Sequence, residues 1–201
     1  GLGLNDIAVL FRSGWHSNDL EVELAGNGIP FAKYGGQKFI EAAHIKDVLS
    51  GLSLVHNPGS QLSWQRILTL LPGIGERTAE NIFREIAERN IDGVNEAILA
   101  KRPELRQLFE LLKQMDPLTQ KPQELLRSFL DFYVPLMARQ YDDHDKRVND
   151  LESLDKISSR YGSLEQFLAD MALDPPEKNL VDQGIEAADA GRVVLSTIHS
   201  A

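Results

Sequence analysis

The order of two hydrophobic patterns along the chain constrains its fold more than any other feature. Short apolar runs typical of buried strands occur near both ends, at 6–11, 31–34 and 192–198. Between them, residues 61–172 carry apolar side chains at helical spacing throughout. A helical segment that begins at Ser17 separates the first two runs, which predicts a βαβ unit in a parallel sheet. The simplest fold is an all-helical domain inserted into an α/β domain, with the last strand returning to the first sheet.

This order predicts a mainly α fold with a small α/β part. Three strands are marginal as an independent sheet, so we expect the α/β part to be incomplete. A turn at 57–60 and a polar linker at 174–191 separate the two patterns. The predicted boundaries are therefore 1–57 for the first α/β segment, 58–187 for the helical domain and 188–201 for the returning strand.

The segment LPGIGERTAENI, residues 71–82, is the sharpest local motif. Pro72 and Gly73 end an apolar helix, the two glycines permit a tight turn, and a second helix is predicted to start near Glu76. The pattern is typical of a helix-hairpin-helix, in which free N–H groups at the start of the second helix hold a DNA phosphate. Arg77 would add charge and Thr78 a hydroxyl. The alternative is an ordinary turn between helices with a glycine cap.

The charge balance limits how such a chain binds DNA. The formal net charge is -9 and the sequence pI is about 5.0, so bulk positive charge cannot hold the polymer. A contact through backbone amides needs no basic surface, so an acidic chain can still bind DNA in this way. The chain contains no cysteine, which excludes disulfides and thiolate chemistry and suits a reducing cytoplasm. We see no secretory signal and no apolar stretch near the roughly 20 residues of a membrane helix, so we expect no membrane partner.

With these segments placed, the chain resembles the UvrD, Rep and PcrA family of superfamily 1 DNA helicases along nearly its whole length. The similar segments occur in the family's order and are NDIAVLFRS, PFAKYGGQKFIEAAHIKDVLSGLSLVHNP, the LPGIGERTAENI hairpin, RVNDLESLDKISSRYGSLEQFLADMAL and VVLSTIHSA, the start of motif V. The resemblance implies that 1–57 and 188–201 are part of a RecA-like second motor domain with a partial parallel sheet. It implies that 58–187 form the inserted accessory domain.

The resemblance also implies partners and roles. The longer protein would couple hydrolysis of ATP, with Mg²⁺, to 3′-to-5′ movement on DNA. Its first RecA-like domain would be a partner in the same chain, and repair proteins are candidate partners. Arg12 matches an arginine that lies along single-stranded DNA, and Thr197 and His199 match groups that face the strand or the motor cleft. The positions that match the duplex-contacting hairpin are Gly73, Ile74, Gly75, Arg77 and Thr78.

The chain departs from the family at two places. Gly14, Trp15 and His16 stand where the family often has Asn-Ala-Gln, so Trp15 either stacks on a base or packs in a core. Ala42 and His44 replace an Arg and a Glu, so any ion pair between those positions is absent. The sequence also has no GxxxxGK[ST] phosphate loop and no acidic Mg²⁺ motif. We therefore expect no catalytic residue and no ATP hydrolysis in this chain alone.

The sequence leaves two other functions to compare with a helicase fragment. A stand-alone helix-hairpin-helix repair enzyme such as a DNA glycosylase needs a catalytic aspartate downstream of the hairpin, and Asp92 in NIDGV does not fit. A helical protein-interaction module would use the hairpin only as structure. The cluster Asp142, Asp143, His144 and Asp145 is predicted to be a solvated helix start, since carboxylates favour the helix dipole there. We expect no metal site.

Overall fold

The computed structural model describes residues 1–35, 37–172 and 191–199, which are mainly helical and contain a three-stranded parallel sheet. The strands are β1 (Ala8–Phe11), β2 (Phe31–Tyr34) and β3 (Val193–Thr197). The helices are α1 (Asn18–Gly26), α2 (Ala43–His56), α3 (Gln61–Leu70), α4 (Glu76–Arg89), α5 (Glu96–Ala100), α6 (Pro103–Gln114), α7 (Pro122–Gln140), α8 (His144–Ser158) and α9 (Leu164–Met171). The predicted mainly helical fold with a small parallel sheet is confirmed. Gly36 and all but the last residue of the linker predicted at 174–191 lie outside the described residues.

The sheet has the order β1-β3-β2, and both outer strands are parallel to β3. Phe11 pairs with Thr197, and Phe31 pairs with Val193. The prediction that the last strand returns to the first sheet is confirmed. Since β3 lies between the two strands of the predicted βαβ unit, β1 and β2 are not neighbours. Residues from all three strands pack with Ala25 of α1 in a small core of their own.

The helices bury a second and much larger core, and α2 is part of it. Ile45, Val48 and Leu52 of α2 are fully buried in this cluster. They recur at helical spacing, so one face of α2 is apolar and packs against α3, α7 and α9. The helix that directly follows the sheet's first two strands is therefore held mainly by the helical part of the chain.

The turn predicted at 57–60 is present and begins α3. The Asn57 side chain accepts a hydrogen bond from the Gly59 N–H at 3.1 Å, and Ser60 caps α3 by accepting from the Ser63 N–H. Trp64, one turn into α3, donates its indole N–H to the Pro58 carbonyl at 2.7 Å. This bond satisfies the polar atom of a side chain that is only 1% exposed.

A buried carboxylate joins three of the helices. Asp47 of α2 is 2% exposed and accepts hydrogen bonds from the Tyr133 hydroxyl of α7 at 2.8 Å and from Arg66 Nε of α3 at 2.6 Å. Burial of the hydroxyl and the nearby Asp47 charge both raise the pKa of Tyr133 far above its usual value, so Tyr133 remains a donor at any physiological pH.

Candidate nucleic-acid interface

The turn between α3 and α4 is fixed from inside by two apolar side chains. Leu71 and Ile74 are 3% and 5% exposed, and the Ile74 N–H donates to the Leu71 carbonyl at 3.2 Å. Between them, Gly73 has a φ of 74°, which a residue with a Cβ adopts only under strain. The buried pair anchors the turn, and the glycine reverses the chain at its exposed side.

The second helix begins with open backbone donors. Gly75 is the N-cap residue of α4 and has no side chain to accept from the first turn, whose N–H groups lack intrahelical partners. A Cβ added at Gly73 or Gly75 would meet no described atom within 4 Å, so the approach to these donors is clear. This terminus is an exposed partial positive charge. Glu76, in the first turn, is the acidic side chain beside it.

The sequence singles out five hairpin residues, and four of them are fully or partly exposed at this terminus. Gly73, Gly75 and Arg77 are exposed and Thr78 is half-buried, whereas Ile74 points into the core. Ile74 therefore holds the turn and does not contribute a side chain to the surface. Ala79, which follows Thr78, is fully buried and lets α4 approach the core closely.

Arg12, Thr197 and His199 all lie at the carboxyl edge of the sheet. Arg12 directly follows β1, Thr197 ends β3, and the Ile198 N–H donates to the Phe11 carbonyl at 3.0 Å. Arg12 and His199 are exposed, whereas Thr197 is 8% exposed. In open parallel sheets this edge is where ligands bind. The pairing of β1 with β3 thus places Arg12 beside a segment, Thr197 to His199, that lies far from it in the sequence.

A side chain whose role the sequence left open lies near this edge. Trp15 is 44% exposed, so the alternative that it packs in a core is wrong. It belongs to a short 3-10 helix, Gly14–Ser17, that follows β1 and Arg12, and its indole stacks on His16 with ring centroids 3.9 Å apart. The neighbours of Trp15 in the sequence, Gly14 and His16, do not decide between the two alternatives.

His44 finds partners that sequence analysis did not anticipate. Its Nδ1 accepts from Arg147 at 3.1 Å, so its Nε2 carries the proton and donates to Asp150 at 3.0 Å. Burial of Asp150 opposes ionisation, but hydrogen bonds from His44 and Asn18 outweigh it and keep the pKa of this carboxyl below its usual range. The network joins α1 and α2 to α8.

The acidic cluster at 142–145 lies at the start of α8, as predicted. Asp143 is the N-cap residue, and its carboxylate accepts from Arg147 Nε at 2.7 Å, which lowers the pKa of Asp143. Among the described residues, no group of three or more His, Asp or Glu side chains is placed to hold a metal ion. Within the same part of the chain, no helix is long and apolar enough to cross a membrane.

Comparison with known proteins identifies the family to which this chain belongs. The model of the UvrD-like helicase C-terminal domain matches residues 2–201, and the chain belongs to this family. Its relatives include a probable DNA helicase II homolog of Mycoplasma capricolum, which is 29% identical over 221 residues and aligns with 100% of the chain. The ATP-dependent DNA helicases PcrA of Bacillus subtilis and UvrD1 of Mycobacterium tuberculosis are 26% and 27% identical, each across 98% of the chain. The chain spans about 30% of the length of each of these relatives.

Proposed function

We propose that this chain is the DNA-contacting region of an ATP-dependent 3′-to-5′ DNA helicase. In this proposal 1–57 and 188–201 form part of the second RecA-like motor domain, and 58–187 form the inserted accessory domain. ATP and Mg²⁺ act in the longer protein, with its first RecA-like domain. Family membership and the helicase relatives support this assignment.

The accessory domain holds duplex DNA through the α3–α4 turn, which acts as a helix-hairpin-helix. The observation that carries this proposal is the open N-terminus of α4, where Gly75 leaves the first-turn amides uncapped and a clear approach surrounds both glycines. A phosphate accepts hydrogen bonds from such amides without any sequence preference. Arg77, exposed in the same turn, adds one positive charge. The strand-edge residues Arg12, Thr197 and His199 contact the single strand.

The test caps the proposed phosphate site without disturbing the fold. Gly75 has φ -89° and ψ 174°, the extended conformation of an ordinary N-cap, so Gly75→Asp is compatible with the backbone. The new carboxylate accepts from the first-turn amides and repels phosphate. We expect a tailed duplex to bind about 10- to 100-fold more weakly, the equivalent of losing a charged hydrogen bond.

Ser163→Asp is the matched control. Ser163 already caps α9 by accepting from the Gln166 N–H at 3.2 Å, so this variant adds the same charge at another helix start with a comparable cap. Thermal unfolding of both variants verifies the fold. Equal binding by wild type and Gly75→Asp would refute the hairpin contact and favour the helical protein-interaction alternative.

The glycosylase alternative receives no support from the geometry. Asp92 lies in a short 3-10 helix, is 77% exposed as a side chain, and pairs with Lys113 Nζ at 2.7 Å. A catalytic carboxylate needs a pocket that excludes water from the reacting atoms. Asp92 instead forms a surface ion pair.

A further inference from the structure

We infer that Trp15 is a stacking platform for a base of single-stranded DNA. This inference rests on the proposed function, because it takes the same polymer as its ligand. It adds a contact to the base itself. The hairpin is proposed to hold phosphates of the duplex, and the strand-edge residues are proposed to contact the single strand. It also concerns a residue at which this chain departs from the pattern of its family.

The exposure of Trp15 is built into the turn that carries it. Ser17, at the end of the same 3-10 helix, is 1% exposed, and its single O–H lies 2.7 Å from both the Gly14 carbonyl and Glu21 Oε1, which share it. Glu21 is 3% exposed and also accepts from the Phe39 N–H at 2.8 Å and from Lys33 at 2.6 Å. These buried bonds fix the backbone of the turn. The indole is therefore held outward by a rigid support and loses little freedom when a base stacks on it.

The indole has the shape of a platform. Its plane lies at 22° to the His16 ring with centroids 3.9 Å apart, so the imidazole backs one face. The 44% exposure leaves aromatic surface for a second ring. Every base presents a π-face, so stacking on such a surface tolerates any sequence. A helicase region that moves along DNA requires that tolerance.

Exposed cations near the indole can meet the phosphates that flank a stacked base. Trp15 borders a cleft of about 240 Å³ whose lining includes Lys33, Lys146 and Arg147. Lys33 is buried against Glu21 and Arg147 pairs with Asp143, so Lys146 is the cation of these three that stays available to a phosphate. The carboxylates that line the same cleft are Asp143 and Asp150. Both are engaged, the first by Arg147 at 2.7 Å and the second by Asn18 and His44. Lys146 is exposed, and Arg12 at the sheet edge is exposed as well.

The position along the chain ties the platform to the strand edge. The 3-10 helix begins two residues after Arg12, and Lys33 Nζ of β2 donates to the Gly14 carbonyl at 3.4 Å. Trp15 is thus attached to the ends of two parallel strands. A strand of DNA that contacts Arg12 reaches the indole without crossing the helical core.

The two tryptophans of the chain make a direct spectroscopic test feasible. Trp64 is 1% exposed and hydrogen-bonded, whereas Trp15 is open to solvent, so a base that stacks on Trp15 quenches only its fluorescence. The probe is an oligothymidylate, and its control is a strand of equal length and charge built of abasic sites. We expect quenching by the first and none by the second. In Trp15→Phe, the remaining Trp64 signal is expected to stay constant.

Affinity measurements complete the test. Trp15→Ala is expected to weaken oligothymidylate binding roughly 5- to 100-fold, while Trp15→Phe retains most of it, since a phenyl ring still stacks. Binding of a blunt duplex that is weakened in Gly75→Asp but kept in Trp15→Ala separates this inference from the hairpin proposal. Equal quenching by the abasic strand, unchanged affinity in Trp15→Ala, or no binding of single strand at low salt would each overturn the platform. A platform overturned in this way would leave Trp15 as a contact for another protein segment.

Discussion

Replacing Gly51 by alanine tests how tightly α2 and α7 pack, because this glycine lies where the two helices touch. A Cβ added at Gly51 would stand 2.0 Å from Cζ of Phe129 and 2.3 and 2.5 Å from its two Cε atoms. Carbon atoms in contact are normally about 3.5–4.0 Å apart, so the phenyl ring would have to move. Phe129 is fully buried and stacks near-parallel on Tyr133, with Phe132 tilted against it. The ring has nowhere to go without shifting α7.

Two effects of opposite sign determine how much Gly51→Ala changes the free energy of unfolding. Alanine favours a helix over glycine by about 1 kcal/mol. Overpacking a core costs about 1–3 kcal/mol, occasionally more, and a 2.0 Å overlap with a fully buried ring belongs at the upper end. We therefore expect Gly51→Ala to lower the free energy of unfolding by about 2 kcal/mol, a Tm decrease of about 4–8 °C for a domain of this size.

Urea unfolding followed by circular dichroism measures this change, and two further variants control for it. Gly26→Ala, at the end of α1 where an added Cβ meets no described atom within 4 Å, is expected to be neutral or slightly stabilising. Phe129→Leu removes the clashing ring atoms, so the double variant with Gly51→Ala is expected to be more stable than the sum of the single changes. A Gly51→Ala chain as stable as wild type, or strict additivity in the double variant, would refute the packing argument.

Two more predictions concern charged contacts between helices. Tyr133→Phe removes one donor from the buried Asp47 carboxylate and is expected to cost about 1.5–3 kcal/mol, measured by urea unfolding; an unchanged midpoint would show that Asp47 has access to water. The hydrogen bonds from Arg127 lower the pKa of Asp155, so this pair stabilises the fold above the unfolded pKa of about 4 and loses that contribution as the pH falls through the lowered value. Asp155→Asn is therefore expected to flatten the loss of stability below about pH 4, and parallel acid-unfolding curves for the two chains would contradict this.

Much of the fold follows from local pattern. The strand predicted at 31–34 has those bounds in the structure, and the strand predicted at 192–198 contains β3. The positive φ of Gly73 is the kind of backbone that the glycines of the LPGIG segment permit. These features depend on residues close together in sequence, where periodicity and backbone preference act directly.

The remaining features depend on contacts between distant residues. The position of β3 between β1 and β2 could not be predicted, because apolar strands can pair in several orders equally well. His44 and Asp150 meet because α2 and α8 pack together, and neither residue lies in a recognisable motif. The exposure of Trp15 depends on Ser17 and Glu21, which are buried polar residues that hydrophobic patterning does not reveal. Tertiary placement of polar side chains is thus what the sequence left undetermined, and it is also what holds Trp15 at the surface.

The acidic charge of the chain is compatible with DNA binding only if the contacts are few and short-ranged. A net charge of -9 repels a polyanion, and salt screens that repulsion as well as any attraction. Each phosphate neutralised by a cation contributes about -0.9 to the slope of log affinity against log salt, whereas an amide contact brings no cation. Arg12, Arg77 and Lys146 are the exposed cations of the proposed contacts, so we expect a slope no steeper than about -3. A steeper slope would require a basic surface such as that around Arg102 and Arg106, but Arg106 already pairs with Glu96 and Arg102 with the Ile98 carbonyl. In the proposed interface, backbone amides and an aromatic ring therefore provide the affinity for nucleic acid that charge does not.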